Sequence, residues 1–321
     1  MIGQLYRLGL VLIAPITIAA ALLHVALGLL YALLLFPWIG RRWRDAAVIT
    51  WSRLLLLIIG VRLDSAGLPP QPGGGGSPPF PARGRGAGLA LRSRATPGYA
   101  GGEGADEGAP LLGSLLLINH TSWLDVFSIS AMVPARFVAK AEIGRWPVFG
   151  WLAIVVGTLF VERGRRHAVV RTNQAVAERL RSGQLIGIFP EGTTTDGSRL
   201  LPFHANLVQP AIDLGAPLRP VGVRFTQSGE FSRVAMFVGE MNLMQSLWRI
   251  VTAPHLGVEL HWLPAIEPPP FNRHQAARAA RVAIARALNV PLEEHELVDA
   301  EVSPASEPSD SEPGTRSAPA G

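Results

Sequence analysis

Leu115-Leu116-Leu117-Ile118-Asn119-His120-Thr121-Ser122-Trp123-Leu124-Asp125 runs from an unbroken apolar segment through a polar turn into a second apolar stretch. A short apolar run closed by turn residues reads as a buried strand, here Leu115 to Asn119, and Leu124 to Met132 reads as a short helix. The same alternation continues outward. Arg136 to Lys140 is an expected strand and Val155 to Val161 a third apolar run. Ala168 to Arg181 carries Val169, Val176 and Leu180 at helical spacing and closes at Gly183. Leu185 to Phe189, Leu218 to Phe225, Val234 to Val238 and the alternating Val258 to Leu263 are expected strands, and Ala276 to Leu288 a basic amphipathic helix. Strands and helices in alternation predict an α/β fold, a mixed sheet covered by helices, over residues 111–300.

In such sheets ligands gather at strand ends, and His120 follows the first predicted strand. Asp125 lies five positions on, where a carboxylate can hold the imidazole. A His with its own Asp is a general base, able to turn a hydroxyl into a nucleophile. The bland alternative is a surface His and an Asp that serves only the first turn of its helix. A second polar block, Phe189-Pro190-Glu191-Gly192-Thr193-Thr194-Thr195-Asp196-Gly197, also follows a predicted strand. Alone it reads as ordinary turn chemistry.

Of the 321 residues, 48% are hydrophobic and 17% charged, richer in apolar side chains than a typical soluble domain. There is no cysteine, which excludes disulfide scaffolds, thiol nucleophiles and Cys-ligated metal. The net charge of +5 is uneven: residues 1–290 hold 28 basic and 16 acidic residues, a net +12, and the last 31 hold eight acids and one Arg. A basic body suits a lipid surface or phosphorylated substrates and carriers. Nucleic acid is not expected, because no recognition-helix, zinc-finger or aromatic RNA-binding signature accompanies the charge.

Residues 8–39 are almost continuously apolar, with no Asp, Glu, Lys or Arg inside and His24 the one imidazole. This exceeds the roughly 20 residues that cross a bilayer core and the ~7–15 of a signal-peptide core, so a retained anchor is expected. Arg41, Arg42 and Arg44 follow it, which places the remainder on the cytoplasmic face if the segment spans once, the inner membrane in a bacterium, with Trp38 and Trp43 at the interface. Ala46 to Val61 is apolar but interrupted, and either lies in the interface or pairs with the first helix. The chain thus divides into a membrane-associated helical segment at 1–63, a disordered Gly/Pro/Arg-rich insertion at 64–110, the α/β domain at 111–300 and a disordered acidic tail at 301–321.

Four blocks occur in order: Asn119-His120 with Asp125; Gly157-Thr158-Leu159-Phe160-Val161-Glu162-Arg163; Phe189-Pro190-Glu191-Gly192-Thr193; and Ala216-Pro217-Leu218-Arg219-Pro220-Val221. In order and spacing they resemble the four motifs of the glycerolipid acyltransferase family, in the branch typified by 1-acyl-glycerol-3-phosphate acyltransferase. The resemblance implies acyl transfer from a thioester, acyl-CoA or acyl carrier protein, to a lysolipid hydroxyl, with His120 as base and Asp125 as its orienting partner. It implies no other cofactor. It also implies that Gly157, Arg163, Glu191, Gly192, Thr193 and Thr194 form the acceptor site. Arg163 suits a phosphate because its planar fork binds bidentately.

One position departs from the commonest pattern: Thr194 stands where many phosphatidic-acid-forming members have Arg. Losing that cation removes a charge-assisted bond worth roughly 1.5–3 kcal/mol, although Lys140 or Arg219 could compensate. The expected acceptor is 1-acyl-glycerol-3-phosphate, giving phosphatidic acid; lyso-ornithine lipid is the alternative. Two rivals come from other classes. A serine hydrolase would use Ser122, but the Gly-x-Ser-x-Gly elbow is absent. A non-catalytic membrane-anchored lipid-binding protein would have no need of a paired base. No metal site is expected, since His204, His255 and His261 lack ligand spacing.

Overall fold

The computed structural model describes residues 2–69, 93–94, 113–146, 149–161, 166–266 and 272–293. Arg163, most of the expected insertion and the acidic tail lie outside the described residues. Two helices, α1 (Ile2–Leu35) and α2 (Arg41–Ile58), precede β1 (Arg62–Ala66) and β2 (Ser93–Arg94). There follow β3 (Leu115–Ile118), α3 (Leu124–Ser130), β4 (Arg136–Lys140), α4 (Phe149–Val155), β5 (Leu159–Val161), α5 (Arg166–Arg181) and β6 (Ile186–Ile188). The chain continues through α6 (Gln209–Leu214), β7 (Leu218–Gln227), β8 (Glu230–Phe231), α7 (Leu243–Val251), β9 (Leu256–Trp262) and α8 (Arg273–Leu288).

The strands form one mixed sheet in the order β2-β1-β9-β7-β3-β6-β4-β5, with β8 paired to β7. β7 runs parallel to β3, as do β6, β4 and β5 in turn; among the described strands β7 with β9 and β7 with β8 are antiparallel. The β3 side chains explain why that strand is apolar throughout. Leu116 and Ile118 pack on the layer formed by α1, α2, α3 and α7, and Leu115 and Leu117 on the layer of α5, α6 and α8. All four are fully buried, each contributing roughly 1.5–3 kcal/mol. Because β3, β6, β4 and β5 are mutually parallel, their C-terminal ends reach one edge of the sheet, and the His120 turn and the Glu191 turn leave from it.

Three expectations are corrected. Residues 64–66 are not part of the insertion: they continue β1, which pairs with β9 from Arg62 opposite Gly257 to Ala66 opposite His261. Val234 to Val238 is not a strand. Its amides bond to turns instead, Val234 to the Ser232 hydroxyl, Met236 to the Arg233 carbonyl and Phe237 to the Thr121 carbonyl, while Ala235 and Met236 are buried. The run Val155 to Val161 is split, α4 ending at Val155 and β5 starting at Leu159, with Gly157 between them at φ +81°.

Ala46 to Val61 falls mostly within α2, which pairs with α1. Trp51 stacks on His24 with ring centroids 5.0 Å apart, and each ring nitrogen meets the other residue's carbonyl, at 3.0 and 3.3 Å. Gly28 makes this approach possible, since a Cβ there would meet the Trp51 indole nitrogen. Within α1, Leu8–Leu35 is the one segment among the described residues long and apolar enough to cross a membrane, and little of it is buried. At 1.5 Å per residue it is about 42 Å long.

Candidate active site

The turn after β3 is held on several sides. At its base the buried Asn119 amide accepts from the Val223 amide at 2.7 Å and donates to the Val223 carbonyl at 3.0 Å, extending the β3–β7 ladder through a side chain. His120 Nδ1 lies 2.8 Å from Asp125 Oδ2. Asp125 is fully buried, and the same oxygen accepts from the amides of Thr121 at 2.8 Å and Ser122 at 2.9 Å. Asp125 therefore serves both the turn that precedes α3 and the imidazole. With Nδ1–H donated to a carboxylate, the lone pair falls on Nε2, the nitrogen a general base needs. The His120 side chain is 21% exposed, enough for a substrate to reach one side of it.

The other side is covered. The Phe189 ring stacks on the imidazole at 4.0 Å and 20°, and Phe137 stacks behind Phe189 at 5.7 Å. No sequence pattern signals this stack, because His120 and Phe189 are far apart in the chain and join only where β3 and β6 lie side by side. Glu191 is buried and splits its carboxylate, Oε1 accepting from the His120 amide at 2.7 Å and Oε2 from the Leu201 amide at 3.1 Å. Burial pushes its pKa up to about 7; the two amide bonds oppose this, the Asp125 charge adds to it and the Arg281 cation counters. Gly192, at φ +72°, supplies the left-handed turn after this carboxylate. The Thr195 amide then closes on the His120 carbonyl at 2.8 Å.

The remaining expected site residues fare differently. Gly157 packs against the Arg136 side chain, its hypothetical Cβ 3.3 Å from Cδ. Thr193 is exposed. The Thr194 hydroxyl donates to the Phe237 carbonyl, tying the Glu191 turn to the segment before α7. Arg163 lies outside the described residues, two positions after β5 ends at the shared edge. Of the two suggested compensating cations, Lys140 is exposed at the C-terminal end of β4, on that edge. Arg219 sits near the start of β7, opposite Leu116, with Nε bonded to the Ser114 hydroxyl at 3.3 Å, and so belongs to the other end of the sheet. Ser122 is fully buried, and its hydroxyl accepts from the Leu124 amide at 3.3 Å. Among the described residues no three His, Asp or Glu side chains gather as a candidate metal site.

Residues 105–224 match the family model described as Acyltransferase. The lyso-ornithine lipid O-acyltransferase of Pseudomonas aeruginosa is 37% identical over 180 residues, covering 56% of this chain and 69% of that protein. The chain belongs to the glycerolipid acyltransferase family. It is an O-acyltransferase, associated with membranes. The 1-acyl-sn-glycerol-3-phosphate acyltransferase of Neisseria gonorrhoeae is 39% identical over 151 residues, 47% of this chain and 59% of that one. In fold the acyltransferase is similar to the crystal structure of the 1-acyl-sn-glycerophosphate acyltransferase from Thermotoga maritima, with a TM-score of 0.55 and 16% identity over 89% of this chain and 96% of that chain.

Proposed function

We propose that this acyltransferase moves a fatty acyl group from a thioester, acyl-CoA or acyl carrier protein, to the hydroxyl of 1-acyl-glycerol-3-phosphate, with His120 as general base. The observation that carries the mechanism is the 2.8 Å contact of His120 Nδ1 with a fully buried Asp125. Nε2 takes the hydroxyl proton as the oxygen attacks the thioester carbonyl. The tetrahedral intermediate collapses and expels the thiolate, which leaves as the thiol with the proton held by the imidazolium. Asp125 keeps the ring in the productive tautomer and offsets its positive charge. No acyl-enzyme is formed, and the buried Ser122 hydroxyl serves the α3 turn.

The phosphate reading draws support from the basic body, from Arg163, two positions beyond β5 in the sequence, and from Lys140 at the C-terminal end of β4. The second reading, lyso-ornithine lipid, is favoured by Thr194: no cation stands there, and the hydroxyl is already engaged by Phe237. Two relatives with these two activities in their names are similar to this chain at nearly equal identity. The site faces the cytoplasm in this account, where both thioester donors are found.

The test offers purified full-length protein in vesicles each lysolipid with each donor and identifies products by mass spectrometry. Phosphatidic acid supports the first reading, and acylated ornithine lipid alone transfers the proposal to the second. No acylated lipid with any pair revives the non-catalytic binding protein.

A further inference from the structure

Helix α7 is built to face two phases. Ser246, Leu247, Ile250 and Val251 are buried beneath it, while Met244 and Trp248, one helical turn apart, are exposed by 52% and 40%. With Val238 and Met241 they line an open groove of about 760 Å³ whose rim carries Glu240 and Arg249. α1 packs directly against α7, and the outer surface of α1 is a long row of exposed Leu, Ile and Val. The apolar phase that receives α1 therefore extends to the helix beside it. An exposed Trp and Met next to an Arg is the side-chain set of a helix lying in a lipid interface, the ring and thioether in the acyl boundary and the cation at the head groups.

The groove is also joined to the catalytic turn. Trp123 Nε1 donates to the Ser246 hydroxyl at 3.0 Å, the Phe237 amide donates to the Thr121 carbonyl at 2.9 Å, and the Thr194 hydroxyl donates to the Phe237 carbonyl. We propose that α7 and the loop at 238–241 form a second lipid-contact surface, which seats in the bilayer interface beside α1 and opens the groove to the lipid phase. The occupant is the membrane itself. Its use for delivering a lysolipid to His120 rests on the acyl-transfer reading above, whereas the docking does not.

The chain has no cysteine, so single labels are clean. Met244→Cys and, on the opposite face of the sheet, Gln174→Cys are each coupled to an environment-sensitive fluorophore in the full-length protein and mixed with vesicles of anionic and zwitterionic phospholipid. Spin-labelled lipid is expected to quench the label at 244 and spare the one at 174. An unquenched label at 244, or equal quenching at both sites, overturns the proposal. A blue shift at 244 without lipid quenching points to a second copy of the chain on this face and also overturns it.

The double substitution Met244→Ser with Trp248→Ser supplies the functional arm. Transfer to vesicle-embedded lysolipid is expected to fall by about tenfold or more, since tenfold needs only ~1.4 kcal/mol of lost insertion, with transfer to detergent-dispersed lysolipid little changed. An equal fall in both settings means that the substitutions act through the catalytic turn and counts against docking. Because quenching is read without turnover, a failure of docking and a failure of the acyl-transfer reading are seen separately.

Discussion

His120 is held by neighbours that its own motif does not contain. Phe189 covers one ring face and Glu191 anchors its amide, so both groups fix where Nε2 points. Phe189→Ala should lower kcat, because it frees the imidazole that the ring holds; steady-state kinetics check this. For Glu191 the sign follows from its environment. Burial raises its pKa from 4.5 to about 7, so the folded chain binds this proton more tightly than the unfolded chain does. Its contribution to stability is fully present below pH ~4.5 and is lost as pH rises through ~7, a change of roughly 3 kcal/mol. Glu191→Gln removes that pH dependence and sets an NH₂ group against one of the two amides. Urea midpoints of the two proteins at pH 5 and pH 8 should show wild type losing stability relative to the variant as pH rises.

At the scale of elements, two joints stand out. Asn119→Ala leaves the buried Val223 amide and carbonyl without their partner, which should cost about 1–3 kcal/mol, read as a lower urea midpoint. Gly28→Leu drives a side chain into Trp51 and should part α1 from α2, read as new protease sensitivity at the turn between them. The strands β3, β4 and β6 were legible in the sequence because each is a short run bounded by turn residues. β1 was not, because Arg62-Leu63-Asp64-Ser65-Ala66 has a single buried apolar residue, Leu63, and owes its conformation to the backbone of β9. Val234 to Val238 misled for the opposite reason: Ala235 and Met236 fill the space beneath a turn instead of one face of a sheet. The site was legible where it is local, four residues separating His120 from Asp125. It was illegible where sheet order creates it, as in the Phe189 stack, the Leu201 and Phe237 contacts and the Trp123–Ser246 bond.

For the whole molecule, α1 and a net charge of +12 on residues 1–290 lead to an expectation about anionic lipid. Vesicle binding should rise with the anionic lipid fraction. It should weaken, without vanishing, as salt shortens the Debye length from about 10 Å at 0.1 M to about 3 Å at 1 M, because α1 keeps its apolar contribution; sedimentation of lipid-bound protein measures this. The central claim is that His120, held by Asp125, activates the acceptor hydroxyl. Its most direct test is the single-turnover rate of acyl transfer from a thioester to a lysolipid by wild type, His120→Ala, Asp125→Asn and Ser122→Ala. The expected result is a fall of about 10² to 10⁴ for His120→Ala, a large fall for Asp125→Asn and a rate near wild type for Ser122→Ala. Transfer that survives the loss of His120 but not of Ser122 would contradict the account.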